Sequence, residues 1–480
     1  MYLDHNHNLY VDRPFTAFIR FIVLIGCCVA VLCSFTTLAK ERTADENNVS
    51  QIIKWAKDGV TTKIIFPAGD YRFSEPLVIE NDNLNLLGSG KNHTILTLVN
   101  HKPMLIEAIG NNAIISDLTL DGNNQQQGYY DTIFRFNKSK GHRFERVIFK
   151  RSTKGAILPI SGWALDGLFV SHCEFVDINK YAIHIFNRNT EKRGELITSI
   201  DQIIVENSVF RKGYFIGVTM DSGNDRRNES VVNGKKVGRR YTESVDMNSS
   251  IIRDNIFEKT KKFHIAGVQA TGIIMERNVF EGMTDDAEPG ANAIHFEQFS
   301  RDLEFYDNTF YMADTVPKRF PYISIAGTEG HVRVSQKRSS DTYKEWTYFY
   351  EGGPERRANV KCAAHGHTDI SCKRDVHVYG VRNVYLAGNT FNASSKISSY
   401  LLIKEGENIQ IGTRKDGRVS LNSFLGGDNK TRKINLIGHD EGTCDVLILP
   451  NQQISKSNVS IPRVDFDKPA CSMNKPIVIQ

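Results

Sequence analysis

Ile273–Phe280 reads IIMERNVF, and Ile251–Phe257, one repeat earlier, reads IIRDNIF. In both, an alternating apolar run ends in asparagine, then one residue, then phenylalanine. The same pattern returns in FERVIF ending at Phe149, LFVSHCEF at Phe175, IIVENSVF at Phe210, LEFYDNTF at Phe310 and VYLAGNTF at Phe391. Asparagine precedes the phenylalanine by two at Asn255, Asn278, Asn308 and Asn389, with Ser208 and Cys173 in the same place in two other copies.

Successive copies are separated by 23 to 81 residues. A short strand repeat with insertions of any length is what a parallel solenoid of strands produces, because each coil closes on its neighbours and loops can leave one corner. The pattern predicts an all-β chain, a single-stranded right-handed parallel β-helix. Its phenylalanines would stack inside, and its asparagines would hydrogen-bond from coil to coil, since a buried amide needs partners. A β-sandwich would instead show hairpin turns at short regular intervals and no Asn-x-Phe register.

The composition agrees. With 40% hydrophobic and 24% charged residues among 480, the chain is globular and not disordered or collagen-like. A net charge of +5 without a lysine or arginine tract gives no footprint for nucleic acid and leaves an acidic small molecule or polymer as the favoured partner. At the N-terminus, Phe21 to Thr36 is an apolar run preceded by Arg13 and Arg20 and followed by Thr37-Leu38-Ala39. Residues 1–39 are thus expected to be a signal peptide, which makes the mature chain secreted or periplasmic with no membrane span after cleavage. An uncleaved anchor is the alternative. Five cysteines would remain, and an oxidising compartment would permit Cys362 to pair with Cys372 and Cys444 with Cys471, leaving Cys173 as a buried thiol.

Before the repeats, SQIIKWAKDG (Ser50–Gly59) has helical spacing of Ile52, Ile53, Trp55 and Ala56, suited to capping the open end of the solenoid. It is followed by IIFPAGDYRF (Ile64–Phe73), the Leu-x-Gly-x-Gly turn at Leu86–Gly90 and ISDLTLDGN (Ile115–Asn123). These segments resemble the opening coils of the pectate-lyase-like superfamily of polysaccharide lyases, and the catalytic modules of mannuronan C-5 epimerases. The resemblance covers residues 45 to 425 and implies the fold. It leaves activity open, because lyases, hydrolases, epimerases and adhesins share that architecture. Where the epimerases carry Asp-Pro-His, this chain reads Leu158-Pro159-Ile160-Ser161. The repeat pattern sets the β-helix at 40–428 and a C-terminal cap or tail at 429–480. Two long insertions, Ser222–Asn248 and Asp314–Arg374, are expected to wall a groove on one face.

About 14 to 16 residues upstream of several of the phenylalanines, a polar residue stands between two apolar ones: Phe134-Arg135-Phe136, Phe263-His264-Ile265, Ile294-His295-Phe296 and Val376-His377-Val378, with Ile183-His184-Ile185 further from its own. If the apolar pair points inward, the central residue points out. Arg135, His184, His264, His295 and His377 should then form an interrupted column on one outer wall. Glu297 follows on the same side, and Asp221 and Lys404 occupy similar strand ends.

Proton abstraction beside a carboxylate needs a base near working pH and a cation or donor for the acid group. His264 and His295 are candidate base and acid, with Glu297 and Asp221 beside them. Arg135, His184, Arg226, Arg227, His377 and Lys404 are candidate substrate-binding residues. This column suits a lyase or epimerase of a uronate-containing polysaccharide. Asp221 and Glu297, two coils apart, keep a glycoside hydrolase open as a second reading, and a non-catalytic glycan-binding β-helix is a third. No metal ligand set is identified. Calcium is the candidate cation, with Asp221, Asp225, Asp285, Asp286 and Glu288 available, though no dense Asp-x-Asp loop occurs. The chain is expected to be monomeric.

Overall fold

The structure is a computed structural model that describes residues 40–128, 131–137, 139–160, 167–186, 202–221, 224–232, 235–243, 245–268, 270–297, 300–311, 321–326, 345–350, 360–364, 370–373, 381–393, 397, 399–404, 406–427, 432–437, 444–449, 459–460 and 477–479. The expected signal peptide lies outside them. Among the described residues no helix is long and apolar enough to cross a membrane.

Three parallel sheets of 14, 11 and 12 strands run the length of the molecule, and each coil gives one strand to each in turn. In one coil these are Ala270–Glu276 in the first sheet, Val279–Glu281 in the second and Asn292–Glu297 in the third, after which Arg301–Tyr306 returns to the first. Each of these strands pairs in parallel with its counterpart in the next coil. The register makes this concrete: Leu303 pairs with Ile273 and with Val384, Phe310 with Phe280 and with Phe391, and Ile294 with Ile265 and with Ile323. The chain is a parallel β-helix, as its repeat predicts.

The repeat explains the interior. Phe149, Phe175, Phe210, Phe257, Phe280, Phe310, Phe391 and Phe424 lie on the second sheet and stack with ring centroids 4.4 to 5.1 Å apart and planes within 17°. At the corner before that sheet, each asparagine joins the next. Asn255 Nδ2 donates to Asn278 Oδ1 at 3.0 Å, Asn278 to Asn308 at 3.0 Å, and Asn308 to Asn389 at 3.0 Å. Asn389 donates in turn to Asn422 at 2.9 Å, which adds a rung beyond the repeats read from the sequence. All five are buried, so each amide replaces its lost water with neighbours in the stack.

The helix Val49–Trp55 touches Thr61–Phe66, Gly69–Phe73 and Leu77–Ile79, one strand of each sheet, and buries Ile52 against the open end. It is the cap expected from its spacing. At the other end the boundary moves. Arg432–Ile437 and Val459–Ser460 continue the third sheet, and Cys444–Ile448 and Ile477–Ile479 continue the first. The loss of Asn-x-Phe after residue 428 therefore marks the end of the second sheet among the described residues, while the other two ladders run on.

Both long insertions leave the third sheet and return to the first, so they arise at the same corner. The second begins later than its composition suggests, because Pro321–Ala326 is a strand of the third sheet. The two insertions combine in a separate sheet of five strands, Asn224–Val232, Lys235–Glu243, Glu345–Tyr350, Val360–Ala364 and Ile370–Lys373. Within it Cys362 lies directly opposite Cys372 on antiparallel strands. Residues so placed have Cα atoms about 4.5 to 5.5 Å apart, inside the range a disulfide spans. Peptide mapping without reductant should recover Cys362 linked to Cys372 after oxidative refolding, and two free thiols there would contradict this. Cys173 is fully buried, and burial pushes its thiol up to about 12. Cys471 lies outside the described residues.

Candidate functional site on the third sheet

Side chains on a strand alternate between faces, so the third sheet offers outward rows that run from coil to coil. One row passes through Glu107, Arg135 and Leu158 to His184, Thr219, Ala266, His295 and Ser324. Ile183, Val218, Ile265, Ile294 and Ile323 occupy the inward position just before it and are buried. Arg135, His184 and His295 thus share one row, in which Arg135 and His295 are half-buried and His184, Thr219, Ala266 and Ser324 are buried.

His264 is not. Ile265 pairs with Ile294, which places His264 beside Ala293 and puts Ala266 beside His295. His264 is fully buried against Phe257 and Phe280, and its Nδ1 lies 2.5 Å from Tyr214 Oη. Its Nε2 bonds the carbonyl of Glu281. Here the chain turns from the second sheet to the third, and four consecutive residues, His264 to Gly267, are buried. Strict alternation fails at this corner. Phe263 takes the outward place and lies flat on the His295 ring at 4.5 Å. The expectation that His264 serves as base or acid is therefore corrected: it holds a corner and faces no solvent.

His377 lies outside the described residues. The third-sheet strand that precedes Val381–Ala387 is Pro321–Ala326, and it sets Ser324 next to His295 in the outward row.

A second register row, two residues on, links the positions of Phe186, Asp221, Val268, Glu297, Ala326 and Lys404. Asp221 and Glu297 are two strands apart, about 10 Å at the usual strand spacing, and Lys404 is two strands beyond Glu297. Arg226 and Arg227 are consecutive on Asn224–Val232 and so hold positions on opposite faces of the insertion sheet.

The closest chemical grouping is His295 with Glu297. His295 Nε2 lies 2.5 Å from Glu297 Oε1, and Asn292 Nδ2 is 3.5 Å from Nδ1. The bond to His295 holds the Glu297 carboxyl below the usual carboxylate range, against the opposing effect of burial, and Lys262 adds to the lowering. Donation of Nε2–H to Glu297 leaves the lone pair on Nδ1, so the carboxylate sets the tautomer and Phe263 sets the ring plane. This arrangement suits an imidazole that accepts a proton, with a carboxylate to stabilise the cation formed. Flanking-residue patterns alone miss Asn292 and Phe263, although aligning Ile265 with Ile294 exposes both.

The other candidates are more fully engaged. Arg135 Nη2 pairs with Glu107 Oε1 at 2.8 Å, and His184 is 8% exposed with its ring 4.6 Å from that of Tyr181. Among the described residues no three His, Cys, Asp or Glu side chains are grouped to hold a metal. Asp286 pairs with Lys261 at 2.9 Å and Glu288 lies 3.9 Å from Lys262, so these carboxylates meet ammonium groups and do not converge on a common point. The Asp-Gly-Asn turn also has a structural use: Asp121 is buried, receives the Asn123 N–H at 2.8 Å and pairs with Arg151.

No family model matches the chain, and no curated protein sequence matches it. Among solved structures the chain is similar to the mannuronan C-5 epimerase AlgE6 A-module of Azotobacter vinelandii, with 11% identity, 83% of this chain and 96% of that chain covered, and a TM-score of 0.46. It is also similar to PfbA, a surface adhesin of Streptococcus pneumoniae, with 11% identity, coverage of 83% and 90%, and a TM-score of 0.47. A mannuronic acid specific polysaccharide family 6 lyase from human gut microbiota matches with 10% identity, coverage of 88% and 92%, and a TM-score of 0.41. The three stacked parallel sheets make the chain a parallel β-helix. At these identities the likeness concerns the fold alone.

Burial gives the interior histidines a measurable signature. It lowers His264 to about 3 and His142 to about 4, from an ordinary value of 6.5. Above pH 6.5 both are neutral whether folded or unfolded, and their contribution is complete. As pH falls below 6.5, the unfolded chain takes up protons that the fold refuses, so stability is lost progressively toward pH 3 to 4. The loss should reach about 2 kcal/mol per histidine at about pH 5. Urea unfolding midpoints should drop between about pH 7 and 5, less so in His142→Gln, and a flat profile would refute this.

Proposed function

We propose that this chain is a carbohydrate-active enzyme that acts on an acidic, uronate-containing polysaccharide by proton abstraction, as a lyase or epimerase. The supporting observation is the His295–Glu297 pair on the outward side of a sheet whose strands repeat along one axis, as a linear polymer does. His295 Nδ1 takes the proton beside the sugar carboxylate. Glu297 stabilises the resulting imidazolium, and Lys404, in the same row as Glu297, is the cation assigned to the substrate acid group. In this reading the chain works outside the cytoplasm.

Asp221 and Glu297, two strands apart in one row at about 10 Å, stand at the upper edge of the about 6.5 to 9.5 Å that inverting enzymes leave between their carboxyl groups, and this keeps a glycoside hydrolase as the second reading. One screen separates the readings. With alginate and polygalacturonate, a lyase creates a double bond that absorbs in the ultraviolet, an epimerase changes uronate composition without chain cleavage, and a hydrolase releases reducing ends without absorbance. Finding none of the three products would leave a glycan-binding β-helix and overturn the enzyme reading. A chelator in the same assay tests calcium: activity lost and then restored by the ion would give calcium the role assigned to Lys404.

A further inference from the structure

The insertion sheet has two unlike faces. Register across its five strands aligns Asn228, Arg239, Thr347, Lys361 and Lys373 in a single row, with Arg226, Tyr241 and Phe349 in the row alongside. Positions on this face hold five basic residues, Arg226, Lys235, Arg239, Lys361 and Lys373, and two acidic ones, Glu243 and Glu345. The opposite face is more nearly balanced, with Arg227, Lys236 and Arg240 against Asp225 and Glu229, and it carries the Cys362 and Cys372 positions.

The position of this sheet matters as much as its charge. One insertion follows Asp221 and the other follows Ala326, at the ends of third-sheet strands that flank Phe263–Val268 and Asn292–Glu297. Lys235–Glu243 from the first insertion pairs with Glu345–Tyr350 from the second. The two loops are therefore tied together, and both spring from the corner of the coils on either side of His295 and Glu297.

We infer that the basic face of the insertion sheet is a separate binding surface for an anionic polysaccharide, using Arg239, Lys361 and Lys373 in one row with Arg226 alongside. The choice of occupant rests on the function proposed above. Three cationic positions along one row complement a polymer with an acid group on each sugar, and the insertions that carry them begin directly after the third-sheet strands Ile216–Asp221 and Pro321–Ala326. Tyr241 and Phe349 occupy the neighbouring row of the same face, a composition that suits sugar rings better than free phosphate.

The test is binding of the full chain to polygalacturonate, read by calorimetry at low and moderate salt. The triple variant R239E/K361E/K373E should weaken the apparent Kd at least about tenfold and flatten its salt dependence, because fewer counterions are displaced. K361Q/K373Q, which changes charge less, should shift binding in the same direction. Lys63→Glu, on the first sheet, should bind as the unsubstituted chain does. Unchanged binding in both charge variants would overturn the inference, whatever the activity. Tighter binding to duplex DNA than to polygalacturonate would overturn the occupant. Loss of binding in the charge variants of a chain that yields no lyase, epimerase or hydrolase product would support the surface while removing the enzyme reading.

Discussion

His295→Ala is expected to lower kcat/KM on an acidic polysaccharide by about 10² to 10⁴-fold, the usual contribution of a positioned general base. The ring is held from two sides, by Glu297 Oε1 at Nε2 and by the Phe263 face, so its loss removes both the base and its orientation. Glu297→Gln tests the tautomer. An amide can donate to Nε2, which moves the proton to Nδ1 and removes the lone pair that the substrate needs. The loss should appear in kcat with KM little changed, because the interaction matters most as the imidazolium forms. A variant with full kcat would show that Glu297 only fills space.

Phe280→Ala should cost about 3 to 5 kcal/mol, measured as the fall in unfolding free energy in urea. The ring is 1% exposed and stacked between Phe257 at 5.0 Å and Phe310 at 4.9 Å, so truncation opens a void that neighbours on both sides are held away from. Removal also deprives His264 of a packing partner at 5.6 Å. Phe280→Leu keeps most of the apolar volume and should cost less than half as much. A fall below about 1 kcal/mol in Phe280→Ala would contradict a tightly packed stack.

The coils are legible because their signal is repeated and local. Asn-x-Phe puts an amide at a corner and a ring in the interior each time, and the structure adds one more rung at Asn422 and Phe424. The outward wall is harder to read. Alternation holds along Ile294–Glu297 but not where each strand begins, since Asn292, Ala293 and Ile294 are buried in a run and so are His264 to Gly267, so apolar neighbours do not by themselves turn a histidine outward. The insertions carry no periodicity that could reveal their partner strands. Lys235–Glu243 and Glu345–Tyr350 are distant in sequence and meet only through the corner from which both loops leave.

The most direct measurement is a crystal structure with an acidic oligosaccharide bound to the Glu297→Gln chain. The account requires sugar rings along the third sheet, with a carboxylate-bearing carbon facing His295 Nδ1. Density confined to the outer faces of the first or second sheet would contradict it.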